Sequence, residues 1–173
     1  MLMIGMTGRR RSGKDTFAEV LRVEGGFAHK SFAARLKAEL CQWLGIQLPE
    51  LEYHKEGFRA ALIARGMFMR KIEPSYWIDK VAHCIGNSSS SRIVISDVRF
   101  EDEAAWIRSH GGIIVRMVRI SACISTFIDG VDDHESETNA DTILADVTVR
   151  CASADEVRFS ASLLVRALER VQV

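Results

Sequence analysis

Apolar residues recur along this chain in two rhythms. Leu2-Met3-Ile4-Gly5-Met6, Arg92-Ile93-Val94-Ile95 and Ile113-Ile114-Val115-Arg116-Met117-Val118-Arg119 are near-continuous apolar runs, the mark of strands covered on both faces. Between them lie segments whose apolar positions return every three or four residues, the spacing of one helix face. The pattern predicts strands at 2–7, 28–32, 92–97, 113–119 and 145–150. It predicts helices at 14–24, 33–44, 55–65, 75–86, 101–110 and from 154 onward. Gly25-Gly26, Gly45 and Gly111-Gly112 stop helices, and Pro74 suits the start of one. Residues 46–54 read as a loop around Pro49, Asn87 and Ser88 to Ser91 as a linker, and 120–142 as irregular. Strands alternating with helices argue for an α/β fold with parallel strands.

The first strand and first helix are joined by Gly8-Arg9-Arg10-Arg11-Ser12-Gly13-Lys14-Asp15-Thr16. In that context a Gly-x4-Gly-Lys stretch is a phosphate-binding loop. Its glycines let the backbone approach an anion, and its N–H groups and the positive helix end point at the phosphates. Lys14 adds a mobile positive charge over the β- and γ-phosphates. The hydroxyl that usually follows the lysine comes one place late, as Thr16 after Asp15. Gly8, Arg11, Ser12, Gly13, Lys14, Asp15 and Thr16 are therefore the ATP-binding candidates.

A second site candidate is Asp97, at the carboxyl end of an apolar strand. Such an acid sits beside the magnesium of a bound nucleotide, or else caps the helix that follows. Two residues on, Arg99 would bind the acceptor phosphate or the transferring group, or pair with Glu103 on the surface.

The 173 residues suit one domain, and 47% apolar with 27% charged content suits a globular chain with a proper core. A net charge of zero supplies no basic field for nucleic acid. No apolar stretch approaches the ~20 residues of a membrane span, and the chain starts almost directly in a strand, leaving no room for a signal peptide. Cys41, Cys84, Cys123 and Cys151 are scattered without metal-ligand spacing, as thiols in a reducing cytoplasm would be.

Four elements in order carry a resemblance. Gly-x4-Gly-Lys-Asp-Thr, Ser31-Phe32-Ala33-Ala34-Arg35-Leu36-Lys37, Ser96-Asp97-Val98-Arg99-Phe100-x-x-Glu103 and Asp133-His134-x-Ser136-Glu137 look like the deoxynucleoside monophosphate kinases of bacteriophages. Gly-Lys-Asp-Thr is the usual form there. The resemblance implies a three-layer α/β/α phosphate-loop kinase fold with a five-stranded parallel sheet, one kinase domain over 1–173. An acceptor-binding helical segment would cover about 33–86 and a lid about 120–142.

The resemblance also implies ATP and Mg2+, with Lys14, Asp97 and Arg99 in catalysis and Thr16 and Asp97 at the metal. Lys37, Arg59, Arg70, Trp77 and Glu103 would serve the acceptor, Trp77 by stacking on a base unless it belongs to the core. Arg116, Arg119, His134 and Glu137 would serve the lid. The implied protein is a transferase of deoxynucleotide metabolism acting on small-molecule nucleotides, without nucleic acid or membrane. It would work in the cytoplasm (the host's, if phage-encoded), with a homodimer left open. Two stretches depart from the family pattern: Leu62-Ile63-Ala64-Arg65-Gly66-Met67, which lacks a usual Gln and Thr, and Arg150-Cys151-Ala152-Ser153, where an Asn-Asp-Gly turn is usual. The rival readings are another small-molecule kinase of this fold, phosphomevalonate kinase being nearest by resemblance, and a non-catalytic nucleotide-binding module. Lys14, Asp97 and Arg99 together favour transfer over binding alone.

Overall fold

The computed structural model describes residues 1–120 and 140–171. Its elements in chain order begin with β1 (Leu2–Thr7), α1 (Lys14–Gly25), β2 (Ala28–Lys30), α2 (Phe32–Leu44), α3 (Leu48–Tyr53) and α4 (Lys55–Ile72). They continue with α5 (Tyr76–Gly86), β3 (Arg92–Ile95), α6 (Glu101–Ser109), β4 (Ile113–Arg119), β5 (Val147–Cys151) and α7 (Ala154–Val171). The chain divides into two compact units, Met1–His29 with Ser88–Val173, and Lys30–Asn87.

The first unit is built on a five-stranded sheet in the order β2-β3-β1-β4-β5. β1 pairs in parallel with β3 on one side and with β4 on the other, and β4 pairs in parallel with β5. The apolar runs form strands because both faces are covered. Ile4 and Met6 join one core cluster with Phe17 and Leu21 of α1 and with Val157, Ala161 and Val165 of α7. Gly5 points the other way, where a methyl would lie 2.6 Å from the Ile107 side chain of α6. Helices on both sides of a parallel sheet make the three-layer α/β/α arrangement.

The second unit is helical. Leu40, Cys41 and Leu51 are its buried cluster, with Ile46, Phe58, Ala61 and Leu62 packed against them. The Ser31 hydroxyl accepts the Ala34 N–H at 3.1 Å and so caps α2, and Gly45, left-handed at φ 69°, ends it.

Two expectations change here. Residues 46–54, read as a loop, contain α3, because Pro49 stands in a first turn that needs no N–H from it. The helix expected to end at 65 runs to Ile72 through Gly66. A lone glycine weakens a helix by roughly 0.5–1 kcal/mol without breaking it, and a methyl there would already touch Leu36 at 3.4 Å.

Candidate active site

The strand register brings the first unit's candidates together. Gly5 pairs with Ile95 and Thr7 with Arg116, so the carboxyl ends of β3, β1 and β4 lie side by side. The Val98 N–H donates to the Met6 carbonyl at 3.0 Å, which ties the turn carrying Asp97 and Arg99 to the last residues before the glycine-rich loop. β1 is flanked by strands that leave it in opposite directions along the sheet, the switch point where open α/β sheets take ligands.

The loop itself has the backbone that its glycines license. Gly8 and Gly13 have φ of 131° and 98°, and Arg11 adopts φ 61°, a left-handed conformation costly for a residue with a Cβ. A methyl on Gly8 would stand 2.3 Å from the Met117 carbonyl oxygen, and one on Gly13 2.9 Å from Val157. Lys14, first residue of α1, folds back over the loop. Its ammonium donates to the carbonyl oxygens of Gly8 and Arg9, both at 2.7 Å, and to the Ser12 hydroxyl at 3.3 Å. Ser12 is buried, Thr16 half-buried, and Asp15 exposed in the first turn of α1. Backbone N–H groups, a helix N-terminus and an ammonium on one loop make a site for a polyanion.

Asp97 and Arg99 are both half-buried. Glu103, expected to meet the acceptor, is only 2% exposed, and its carboxylate is turned to the backbone. Its Oε2 accepts the N–H groups of Arg99 at 2.8 Å and Phe100 at 3.2 Å, closing the start of α6. Glu103 therefore positions the Asp97–Arg99 turn.

Arg116 is half-buried, donates through Nη2 to the Ile143 carbonyl, and has a buried Nε with no hydrogen-bond partner among the described residues. Arg119 is exposed at the end of β4. Most of the segment expected as a lid, with His134 and Glu137, lies outside the described residues. The turn after β5, where an Asn-Asp-Gly was usual, is closed by side-chain hydrogen bonds at the start of α7 instead. Glu156 accepts the Ala152 N–H at 2.9 Å, and Ser153 accepts the Glu156 N–H at 3.2 Å.

The second unit holds the remaining candidates. Lys37 pairs with Glu52 at 2.6 Å, and this contact holds the Glu52 carboxyl below its ordinary value. Arg59 is half-buried 3.8 Å from Glu56, and Arg70 is half-buried in the last turn of α4. Trp77 is 4% exposed and its indole N–H donates to the Gly66 carbonyl at 3.1 Å. It is a buried residue of the helical unit, in line with the core alternative to stacking on a base.

Three contacts had no signal in the sequence. The His29 ring meets the buried Ser96 hydroxyl at 2.7 Å, next to Asp97. The Thr7 hydroxyl donates to the Ala140 carbonyl at 3.2 Å. Arg9 reaches one oxygen of Asp141 with two nitrogens, at 2.8 and 2.7 Å, which gives a partner to one of the three consecutive arginines. Their partners stand 67, 133 and 132 positions apart, beyond the reach of any local pattern.

Among the described residues no helix is long and apolar enough to cross a membrane. The family model of phosphomevalonate kinase matches residues 6–112, well over half of the 173. No curated protein matches the chain. The solved structure of shikimate kinase from Aquifex aeolicus is similar over 95% of this chain and 96% of that one, at 16% identity and a TM-score of 0.47.

Proposed function

The chain belongs to the phosphomevalonate kinase family, and on that premise we propose that it transfers the γ-phosphoryl group of ATP to the phosphate of a small phosphomonoester. The observation that carries this reading is the convergence of the Gly8–Lys14 loop and the Asp97–Arg99 turn on neighbouring strand ends. An oxygen of the acceptor phosphate attacks the γ-phosphorus. The bond from that phosphorus to the β–γ bridging oxygen breaks, and ADP leaves with the electron pair. The attacking oxygen is already anionic, so the reaction asks for position and positive charge more than for a general base. Lys14 and the Arg99 guanidinium supply that charge, Arg116 adds a third cation beside Thr7, and Glu103 keeps the Arg99 turn in place.

The donors present suit magnesium. The Thr16 hydroxyl and the Asp97 carboxylate would hold it, and both are hard oxygen ligands. Among the described residues no three or more His, Cys, Asp and Glu form a metal cage. When bound, the ion neutralises charge developing on the β- and γ-phosphates.

Two acceptors are to be told apart. The family match and the buried Trp77, which leaves a base without its stacking ring, favour phosphomevalonate. The ordered motifs shared with phage kinases favour a deoxynucleoside monophosphate. A coupled ADP-release assay with ATP, magnesium, phosphomevalonate and a panel of deoxynucleoside monophosphates decides. Turnover with one acceptor class names the substrate. ATP binding without turnover on any of them overturns the kinase reading in favour of a binding module.

A further inference from the structure

The helical unit carries a cleft of about 990 Å³ between α2, α4 and α5, a size suited to a small ligand. Its lining excludes Lys37, Arg59 and Arg70, three of the residues expected to meet the acceptor. Side chains two positions apart on a helix point about 200° away from each other. Lys37 is two positions from Glu39, Arg59 two from Ala61, and Arg70 two from Phe68, and in each pair the second residue lines the cleft. The unit therefore has two chemically different faces.

The cleft has aromatic walls and a charged floor. Trp43 and Phe68 line it while 77% and 57% exposed, and Ala61 and Ala64 leave the room between them. On the floor, Glu39 accepts the Tyr76 hydroxyl at 2.8 Å and pairs with Arg65 at 3.3 Å and Lys80 at 3.5 Å. Burial works to raise the Glu39 carboxyl, but these three partners prevail and hold it low and ionised. One carboxylate thus meets two cations, which leaves the cleft one positive charge in excess. Apolar rings that face water beside an excess cation complement a flat apolar body with a negative substituent.

We propose that this cleft is a second binding site, for a planar aromatic molecule bearing a single anionic group, and that it shares no residue with the phosphoryl-transfer site. Rings of the ligand lie against Trp43 and Phe68, and its anionic group meets Arg65 and Lys80.

The test uses the full chain and two dyes that share their rings and differ in charge, anionic 8-anilinonaphthalene-1-sulfonate and neutral N-phenyl-1-naphthylamine. The anionic dye should saturate one site per chain, at least tenfold tighter than the neutral dye, and saturating ATP should not displace it. Lys80→Glu should abolish the preference between dyes while neutral-dye binding persists, and Ala64→Trp should block both. Lys14→Ala should keep dye binding whether or not ADP release proves to be the reaction, so the two readings fail separately. Equal affinity for both dyes, displacement by ATP, or indifference to Lys80→Glu overturns the proposal. So does a dimer in light scattering that Trp43→Ala dissolves, which would make the face an interface between copies. Should Lys80→Glu not fold by circular dichroism, Lys80→Gln gives the same comparison with a smaller expected loss of preference.

Discussion

In the sheet unit Ile4, Met6, Ile93, Val94, Ile95, Ile114 and Val115 are fully buried, whereas the 18-residue α4 of the helical unit has no buried residue at all. The first unit gets its shape from close packing on both faces of a sheet, an interior that yields little. The second buries Leu40, Leu51, Trp77, Ile78 and Val81 among its helices and adds ion pairs and hydrogen bonds around Glu39 and between Lys37 and Glu52. Packing of the first kind suits atoms that must be held to a fraction of an ångström, as charge stabilisation at a phosphate requires. Contacts of the second kind are weakened by acid and salt.

The contrast is broken most directly at Trp77, a large buried side chain in the helical unit. Trp77→Ala should lower stability by about 3–5 kcal/mol in a denaturant titration. A loss of acceptor affinity with stability unchanged would instead return Trp77 to the binding face. In the sheet unit Lys14→Ala should do the reverse. Turnover should fall by about a hundred- to a thousandfold with stability altered by no more than about 1 kcal/mol, and retained turnover would empty the loop of its assigned role.

A smaller effect belongs to Glu39→Gln, about 1–3 kcal/mol. The Glu39 carboxyl is held below its ordinary 4.5 in the folded chain, so its stabilisation is present above 4.5 and lost as pH falls through the lowered value. The Gln variant should therefore show a shallower acid limb in stability plotted against pH, although Glu52, lowered by Lys37, keeps part of it. An acid limb of wild-type depth would deny Glu39 its central place. Least of all should Asp141→Asn matter to stability. Its ion pair with Arg9 is 74% and 41% exposed, and such pairs contribute about 0.2–1 kcal/mol, less in high salt. A salt-insensitive loss above that range would mean that the pair is doing more than its exposure allows.

Much of the first unit was legible because its determinants are local. Nine consecutive residues, Gly8 to Thr16, contain the turn, the cation and the helix start, and the apolar runs declare strands covered on both faces. Asp97 and Arg99 could be placed at a strand end by pattern alone. Glu103 could not be assigned its task, since a glutamate at the third position of a helix can face a ligand or its own backbone with the same spacing. The second unit was read less well. Periodicity gives a helix an apolar face but not the neighbour that covers it, so Trp77 stayed open between base and core. Pro49 signalled a break and turned out to begin a helix. The Glu39 cluster draws on three helices, and no local pattern joins Glu39, Arg65 and Tyr76.

The lysine of the glycine-rich loop has one further consequence. A lysine side chain that is ordered for the first time by its ligand gives up roughly 1.5–2 kcal/mol of rotamer freedom on binding. The Lys14 ammonium already rests on three oxygen atoms of its own loop, so that ordering is complete before any anion arrives. Capture of a phosphate then exchanges one set of oxygen partners for another around a cation that is already in place. The lysine is thus preorganised, and the conformational cost of placing it falls on folding instead of on binding.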